Sequence, residues 1–523
     1  MVAVAEVTSS PDIFSSALVA APSNPIGADP AAPGVTPPPA RHRRVRASPW
    51  RRAALPIGVV GLVVGCLIPW RDAVHRGVFD DTFWHRAAGV WMLDHHRVMR
   101  TDVFSYTVLG KKWITPEWGY DVVLAQSVRT VGPVAFWLLS AGLATLTVLA
   151  VAIRSRMVGA GWTWTGLLCI ETGAAVTLFL DDRPQMVSYL FLALLLLLLS
   201  MARRRRAWLF AVPVLFVLWA NLHGSFLLGL GIVLLEVVAA LLRRGVGRVT
   251  ISAVALGPII ATFVASGAAT LVNPFGPGVY SSAWGITFNQ DVRRLIAEWQ
   301  SPDFHDPATL AVFVLPVAIT VAYLAFSKRD VPALELALAS FLLVSSLDAV
   351  RFIPYFAIAW CALAASCPPI EHEGLRPSLI VWPLAAVLGV SLLHGPFYPA
   401  AQPATSVPVK AVAYLEHHQG RIFSTYLWND YLDWVGRPVF VDGRTELYTD
   451  NGILSQYLKV ADLTTDPDPV LRAHDVEYVL WQPGTPLALY LQHDAHWRVV
   501  WRSSQAVVFR FTSAQTAQLG IPS

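Results

Sequence analysis

Eleven runs of apolar residues fall near 53–70, 133–153, 162–180, 184–201, 207–222, 225–242, 250–272, 307–326, 331–347, 351–368 and 377–394. Each approaches the roughly twenty residues that a helix needs to cross a bilayer, where every backbone polar group must be satisfied within the segment. The runs predict a polytopic α-helical membrane protein with about 11 transmembrane helices. Charged residues make up 14% of the chain, against roughly 25% in soluble domains, which excludes a large water-soluble fold.

Charge distribution tests the count. With residues 1–52 placed in the cytoplasm and the spans alternating, the basic loops all fall on one side: Arg154/Arg156, Arg203–Arg206, Arg243/Arg244/Arg248, Lys328/Arg329 and Arg376. This is the positive-inside pattern. It accounts for the net charge of +4 through topology, and no nucleic-acid partner is implied. Residues 1–52 read as a disordered basic cytoplasmic tail, rich in Ala, Pro and Ser and carrying Arg41, Arg43, Arg44 and Arg46. An uncleaved anchor follows rather than a signal peptide, because Pro69-Trp70-Arg71 stands where small residues would mark cleavage. The expected location is the cytoplasmic (inner) membrane, multi-pass, with the C-terminal region extracytoplasmic.

Polar groups gather on the opposite side, at span ends. They include Asp80, Asp81, His85, Asp102, Glu117, Asp121, Asp181-Asp182-Arg183, Asn221, His223, Asp291, Glu298, Asp348 and Arg351. Ionisable groups at such positions mark a functional site by default. The first outer loop, 71–132, opens with Asp80-Asp81-Thr82-Phe83-Trp84-His85; on a helix, Asp81 and His85 share a face. A long outer loop at 273–306 carries Glu298, Trp284 and Trp299. Cys66, Cys169, Cys361 and Cys367 lie in or beside apolar runs and read as small core residues. The transmembrane domain is expected over 53–394 and a small α/β domain over 395–523. That domain is expected to hold helices near 408–418 and 485–493, and strands near 421–425, 438–441, 476–482, 497–503 and 505–511. Asp442-Gly443-Arg444 would follow a strand, where open α/β sheets bind ligands; a plain turn is the alternative.

Several stretches resemble bacterial membrane proteins of the GT-C glycosyltransferase class. They are Asp81–His85 with Gly89, Asp102–Thr107, Gly110, Trp113 and Glu117-Trp118; Arg183-Pro184-Gln185; and Trp219–Gly224. Asn273–Gly276, Glu298-Trp299, Arg351-Phe352 and Asp442–Arg444 extend the likeness from about 57 to 511. The resemblance implies a polyprenyl-phosphate-linked sugar as donor, an acceptor in the cell envelope, and chemistry at the outer face of the membrane. It maps the first-loop acid to Asp81, with Asp80 beside it, and a second acid to Asp182. A divalent metal, Mg or Mn, is a possible cofactor, with Asp81, Asp182 and His223 as its candidate ligands. The Trp-Trp-Asp motif of the oligosaccharyltransferase branch is absent, which argues against protein N-glycosylation.

In this reading a carboxylate takes the proton of the attacking acceptor hydroxyl, and Arg351 and Arg183 stabilise the leaving polyprenyl phosphate. The sugar is transferred with inversion. His85, Asp102, Glu117, Asp182, Asn221, His223 and Glu298 are the supporting residues. Blander readings stand beside these: Asp102 as a turn former, Glu117 as a helix-start carboxylate, and Arg351 paired with Asp348. Two other functions use the same groups, a transporter or flippase for lipid-linked sugars and a non-catalytic polyprenyl-lipid-binding assembly protein.

Overall fold

A computed structural model describes residues 49–367, apart from 76–77, 79, 243–244, 246, 290–292 and 294–295, and residues 407–512. The N-terminal basic block, Asp291, Arg376, the apolar run at 377–394 and the expected domain boundary at 394/395 lie outside the described residues.

Helices occupy the other ten apolar runs. They are α1 (Pro49–His75), α4 (Val134–Met157), α5 (Trp162–Thr177), α6 (Gln185–Ala202), α7 (Ala211–Leu222), α8 (Phe226–Leu242), α9 (Leu256–Ala269), α11 (Pro307–Phe326), α12 (Ala333–Asp348) and α13 (Ile353–Ser366). Four are long and apolar enough to cross a membrane by themselves: Ala54–Ala73 within α1, together with α4, α6 and α11. The segments at Arg206–Leu222, Phe226–Leu242, Leu256–Ala269 and Val350–Ser366 are apolar but shorter. The expected span at 250–272 is trimmed at its start, where Val249–Thr250 pairs as a short parallel strand with Val331–Pro332.

Packing explains the arrangement. α6 is enclosed by its neighbours, whereas α1 and α11 keep most of their surface outward. α1 meets α5 along Gly58, Gly61 and Gly65; a Cβ on Gly61 would lie 2.7 Å from the Gly166 backbone. Small residues allow this approach, which dispersion then rewards. At the far end of α6, Arg203 pairs with Glu236 of α8 (2.6 Å) and Glu335 of α12 (2.8 Å), and Arg154 of α4 also reaches Glu335 (2.9 Å). The four cysteines are free thiols, and all but half-buried Cys66 are buried.

The loop between α1 and α4 carries α2 (Asp80–His95) and α3 (Trp118–Val131), joined by an extended strap, and the loop between α9 and α11 carries α10 (Gly278–Phe288). The C-terminal region holds α14 (Val409–Glu416), α15 (Tyr426–Trp434) and α16 (Pro486–His493). Its strands β1 (Arg421–Ser424), β2 (Val476–Trp481), β3 (Trp497–Arg502) and β4 (Val507–Phe511) form a sheet in the order β1-β2-β4-β3. β1 runs parallel to β2, and the other neighbours are antiparallel.

The expected strand at 438–441 is not in this sheet. Its backbone is taken by the first loop: Tyr106 N–H donates to Val439 O (3.0 Å), Val439 N–H to Phe104 O (3.1 Å) and Thr107 Oγ1 to Phe440 O (2.6 Å). Nor does the C-terminal region keep its core to itself. Phe423, Phe440, Tyr457, Trp481 and Phe509 form one buried cluster with Trp84, Ala88, Met92 and Trp113 of the first loop.

Candidate functional site

Asp81 lies in the first turn of α2, where the helix dipole favours a carboxylate. Its Oδ2 accepts from Nη1 of Arg183 at 2.8 Å. Arg183 stands between α5 and α6, just before Pro184, the N-cap of α6. Its Nη2 also meets Asp181 Oδ2 (2.5 Å) and Glu298 Oε1. Glu298 arrives on a 3-10 turn, Ala297–Trp299, ahead of α11. Three segments distant in sequence thus deliver carboxylates to a single guanidinium, and Asp81 keeps a third of its side chain exposed. Burial works against the charge on Arg183, but Asp181, Glu298 and Asp81 outweigh it and hold the guanidinium protonated.

One turn along α2, His85 Nδ1 shares a hydrogen bond of 2.6 Å with Asp121 Oδ1 of α3. The rings of Trp84 and His85 stack at 3.6 Å. Burial lowers the His85 pKa to about 4 against the pull of Glu117 and Asp81, and burial raises Asp121. Both shifts oppose a charge-separated form, and the hydrogen bond braces α2 against α3.

His223 follows the last residue of α7. Its Nδ1 bonds Ser188 Oγ (2.7 Å) and Ser225 Oγ (2.9 Å), and its Nε2 faces Glu117 Oε1 at 3.7 Å. Burial brings His223 down to about 3, with Arg351, His85 and Arg183 adding to the effect. The Glu117 carboxyl is pushed up to about 7 by burial, with His85 opposing and Asp121 and Glu446 reinforcing. At 3.7 Å and with both groups disfavouring charge, the contact between them is not a strong ion pair.

Arg351 does not pair with Asp348, whose carboxylate is taken by Arg293 at 2.5 Å. The Arg351 guanidinium donates to Gln185 Oε1 (3.2 Å) and lies 4.5 Å over the Trp299 ring. Among the described residues it makes no ion pair with a carboxylate, in contrast to saturated Arg183.

Two expected site residues have other work. Asp102 accepts from Arg444 (2.6 Å), fully buried beside Asp442. Asn221 accepts from Trp118 (2.9 Å) and donates to Val217 O and Val272 O (2.8 Å each), tying α3 to α7 and to the turn that follows α9. The acid that reaches Arg183 is Asp181, not Asp182, whose backbone carbonyl accepts from Thr82. Asp80 is the first residue of α2, and its side chain lies outside those described.

The expected metal ligands Asp81, Asp182 and His223 form no grouping with ligand atoms within 4.8 Å of one another among the described residues. Among the described residues, a grouping with ligand atoms within 4.8 Å of one another occurs at Asp468, Asp494 and His496 in the C-terminal region. Arg472 pairs with Asp468 there at 2.8 Å.

No protein-family model matches the sequence, and no curated protein matches it. Solved structures do match in fold. ArnT from Cupriavidus metallidurans, bound to undecaprenyl phosphate, superposes with a TM-score of 0.52 at 14% identity, over 87% of this chain and 98% of that one. The oligosaccharyltransferase AglB from Archaeoglobus fulgidus, in complex with an inhibitory peptide and a dolichol-phosphate, gives 0.51 at 12% identity, over 89% and 75%. The chain shares the fold of these two proteins.

Proposed function

We propose that this protein is a membrane glycosyltransferase that moves a sugar from a polyprenyl-phosphate donor to a hydroxyl of a cell-envelope acceptor, at the outer face of the membrane and with inversion. The observation that carries this reading is the partly open Asp81–Arg183 pair, joined through Glu298 to the neighbouring Trp299, over whose ring lies Arg351, which is free of any carboxylate ion pair among the described residues. The two neighbours of like fold were each solved with a polyprenyl phosphate.

In the proposed reaction the acceptor oxygen attacks the anomeric carbon as its proton passes to Asp81. The bond from that carbon to the phosphate oxygen breaks on the opposite face. The polyprenyl phosphate leaves with its electron pair and needs no acid, and a guanidinium stabilises its growing charge. Arg351 takes that role, because Arg183 is already saturated by three carboxylates. Arg183 instead fixes Asp81. The His85–Asp121 brace sets the angle of the helix that carries Asp81. The anticipated metal ligands do not fit a common ion, so no step is routed through one.

Purified protein in nanodiscs, incubated with a panel of polyprenyl-phosphate sugars and an envelope extract, is expected to release polyprenyl phosphate as the acceptor is glycosylated. Transport of the lipid-linked sugar across a vesicle membrane without such release would replace the enzyme with a flippase.

A further inference from the structure

Gly443 is not among the glycines with positive φ, so its backbone conformation does not require glycine. Space does. A Cβ at this position would lie 2.8 Å from Asp81 Oδ1, and 2.7 and 2.9 Å from Nε1 and Cδ1 of Trp84. The glycine therefore presents bare backbone to the far oxygen of the carboxylate that Arg183 holds by Oδ2.

Resting on the reading of Asp81 as the base, we propose that Gly443 is a positioning residue: the C-terminal region supplies a close wall that keeps the Asp81 carboxylate on Arg183. The wall is itself fixed. Gly443 N–H donates to Asp430 Oδ1 of α15 at 2.7 Å, Tyr426 and Thr445 share a hydrogen bond of 2.5 Å, and Arg444 is locked by Asp442 and Asp102. Of the two side chains facing Gly443, Trp84 is buried in the shared core, edge-on to Trp113 at 5.9 Å. Asp81 is a third exposed and at a helix start. An added methyl group therefore presses on both side chains, and Asp81 is the one with room to move, which pulls its carboxylate off Arg183. An active site that needs its base held to a fraction of an ångström loses rate, not substrate affinity, when that happens.

Two readouts on full-length protein test this. In thermal unfolding, Gly443→Ala should lower Tm by about 3 °C or more in the wild type, and by measurably less beside Asp81→Ala, where only the Trp84 contacts remain, since neighbours that clash do not add. In transfer kinetics, Gly443→Ala should reduce kcat about ten-fold or more, with KM for the lipid donor within two-fold of wild type. Additive Tm shifts would overturn the contact. An unchanged kcat, or a loss confined to donor KM, would overturn the positioning role. If wild-type protein turns over no donor in the panel, the glycosyltransferase reading fails and the role of a positioned base fails with it, while the Tm cycle still reports whether the wall touches Asp81.

Discussion

Arg183 and Arg444 each bind an acid two residues before them and reach acids from distant segments, yet they are built differently. Arg444 and its partners Asp102 and Asp442 have no exposed side-chain surface. Its guanidinium lies between the Phe104 and Trp113 rings, and Tyr448 donates to Asp442 Oδ2 at 2.7 Å. Arg183 and Asp81 keep 22% and 33% of their side chains exposed, and three carboxylates surround one cation. The closed cluster has nowhere to admit a ligand and joins the first loop to the C-terminal region. The open one carries more acid than it needs for structure and faces solvent. Access, not the residue types, separates a fastening from a site.

Breaking each arginine should expose that contrast. Arg444→Ala leaves two buried carboxylates uncompensated and should cost about 3–5 kcal/mol of stability, read as a large drop in Tm and protease cleavage in the strap before Glu117. Arg183→Ala should shift the balance: a smaller Tm loss than Arg444→Ala, because the cluster is partly open to solvent, and transfer lower by about 10²-fold or more as Asp81 loses its anchor. Equal Tm losses in the two variants would erase the distinction.

Arg351→Gln sharpens it further. The proposed phosphate-binding cation has little structural work, so removing it should lower kcat/KM about 10–100-fold and leave Tm near wild type. An unchanged kcat/KM would return Arg351 to a packing role on Trp299.

The smallest effect concerns Glu117. Its folded pKa of about 7 lies above the unfolded value near 4.5. Between those values the native state binds more protons than the unfolded chain, so its contribution to stability falls as pH rises through the window and levels off above about 7. Glu117→Gln should therefore gain on the wild type from about pH 4.5 to 7, by roughly 1–3 kcal/mol at the plateau. Parallel Tm–pH curves for the two proteins would show that Glu117 is solvated.

The helical architecture was legible because each apolar run stands out separately, and helices occupy the ten runs that lie among the described residues, although only four of these helices are long and apolar enough to cross a membrane by themselves. Candidates for the site were legible one at a time, since acids and arginines at span ends are unusual. Their partners were not. Asp181 and Asp182 are adjacent in a turn, and only the fold decides which side chain turns toward Arg183. Asp348 is three residues from Arg351, yet Arg293 reaches it from another loop. Asp102 and Arg444 pair across 342 residues, and no local pattern carries that. The apolar segment Pro438–Val441 has strand composition, but the first loop claims its hydrogen bonds.

The central claim is that Asp81 takes the acceptor's proton, and single-turnover transfer by Asp81→Asn protein with a preloaded polyprenyl-phosphate sugar tests it most directly. Asparagine keeps the shape and loses the basicity. The rate should fall by about 10²–10⁴-fold while donor binding and membrane insertion stay at wild-type levels. A single-turnover rate equal to wild type would contradict the account.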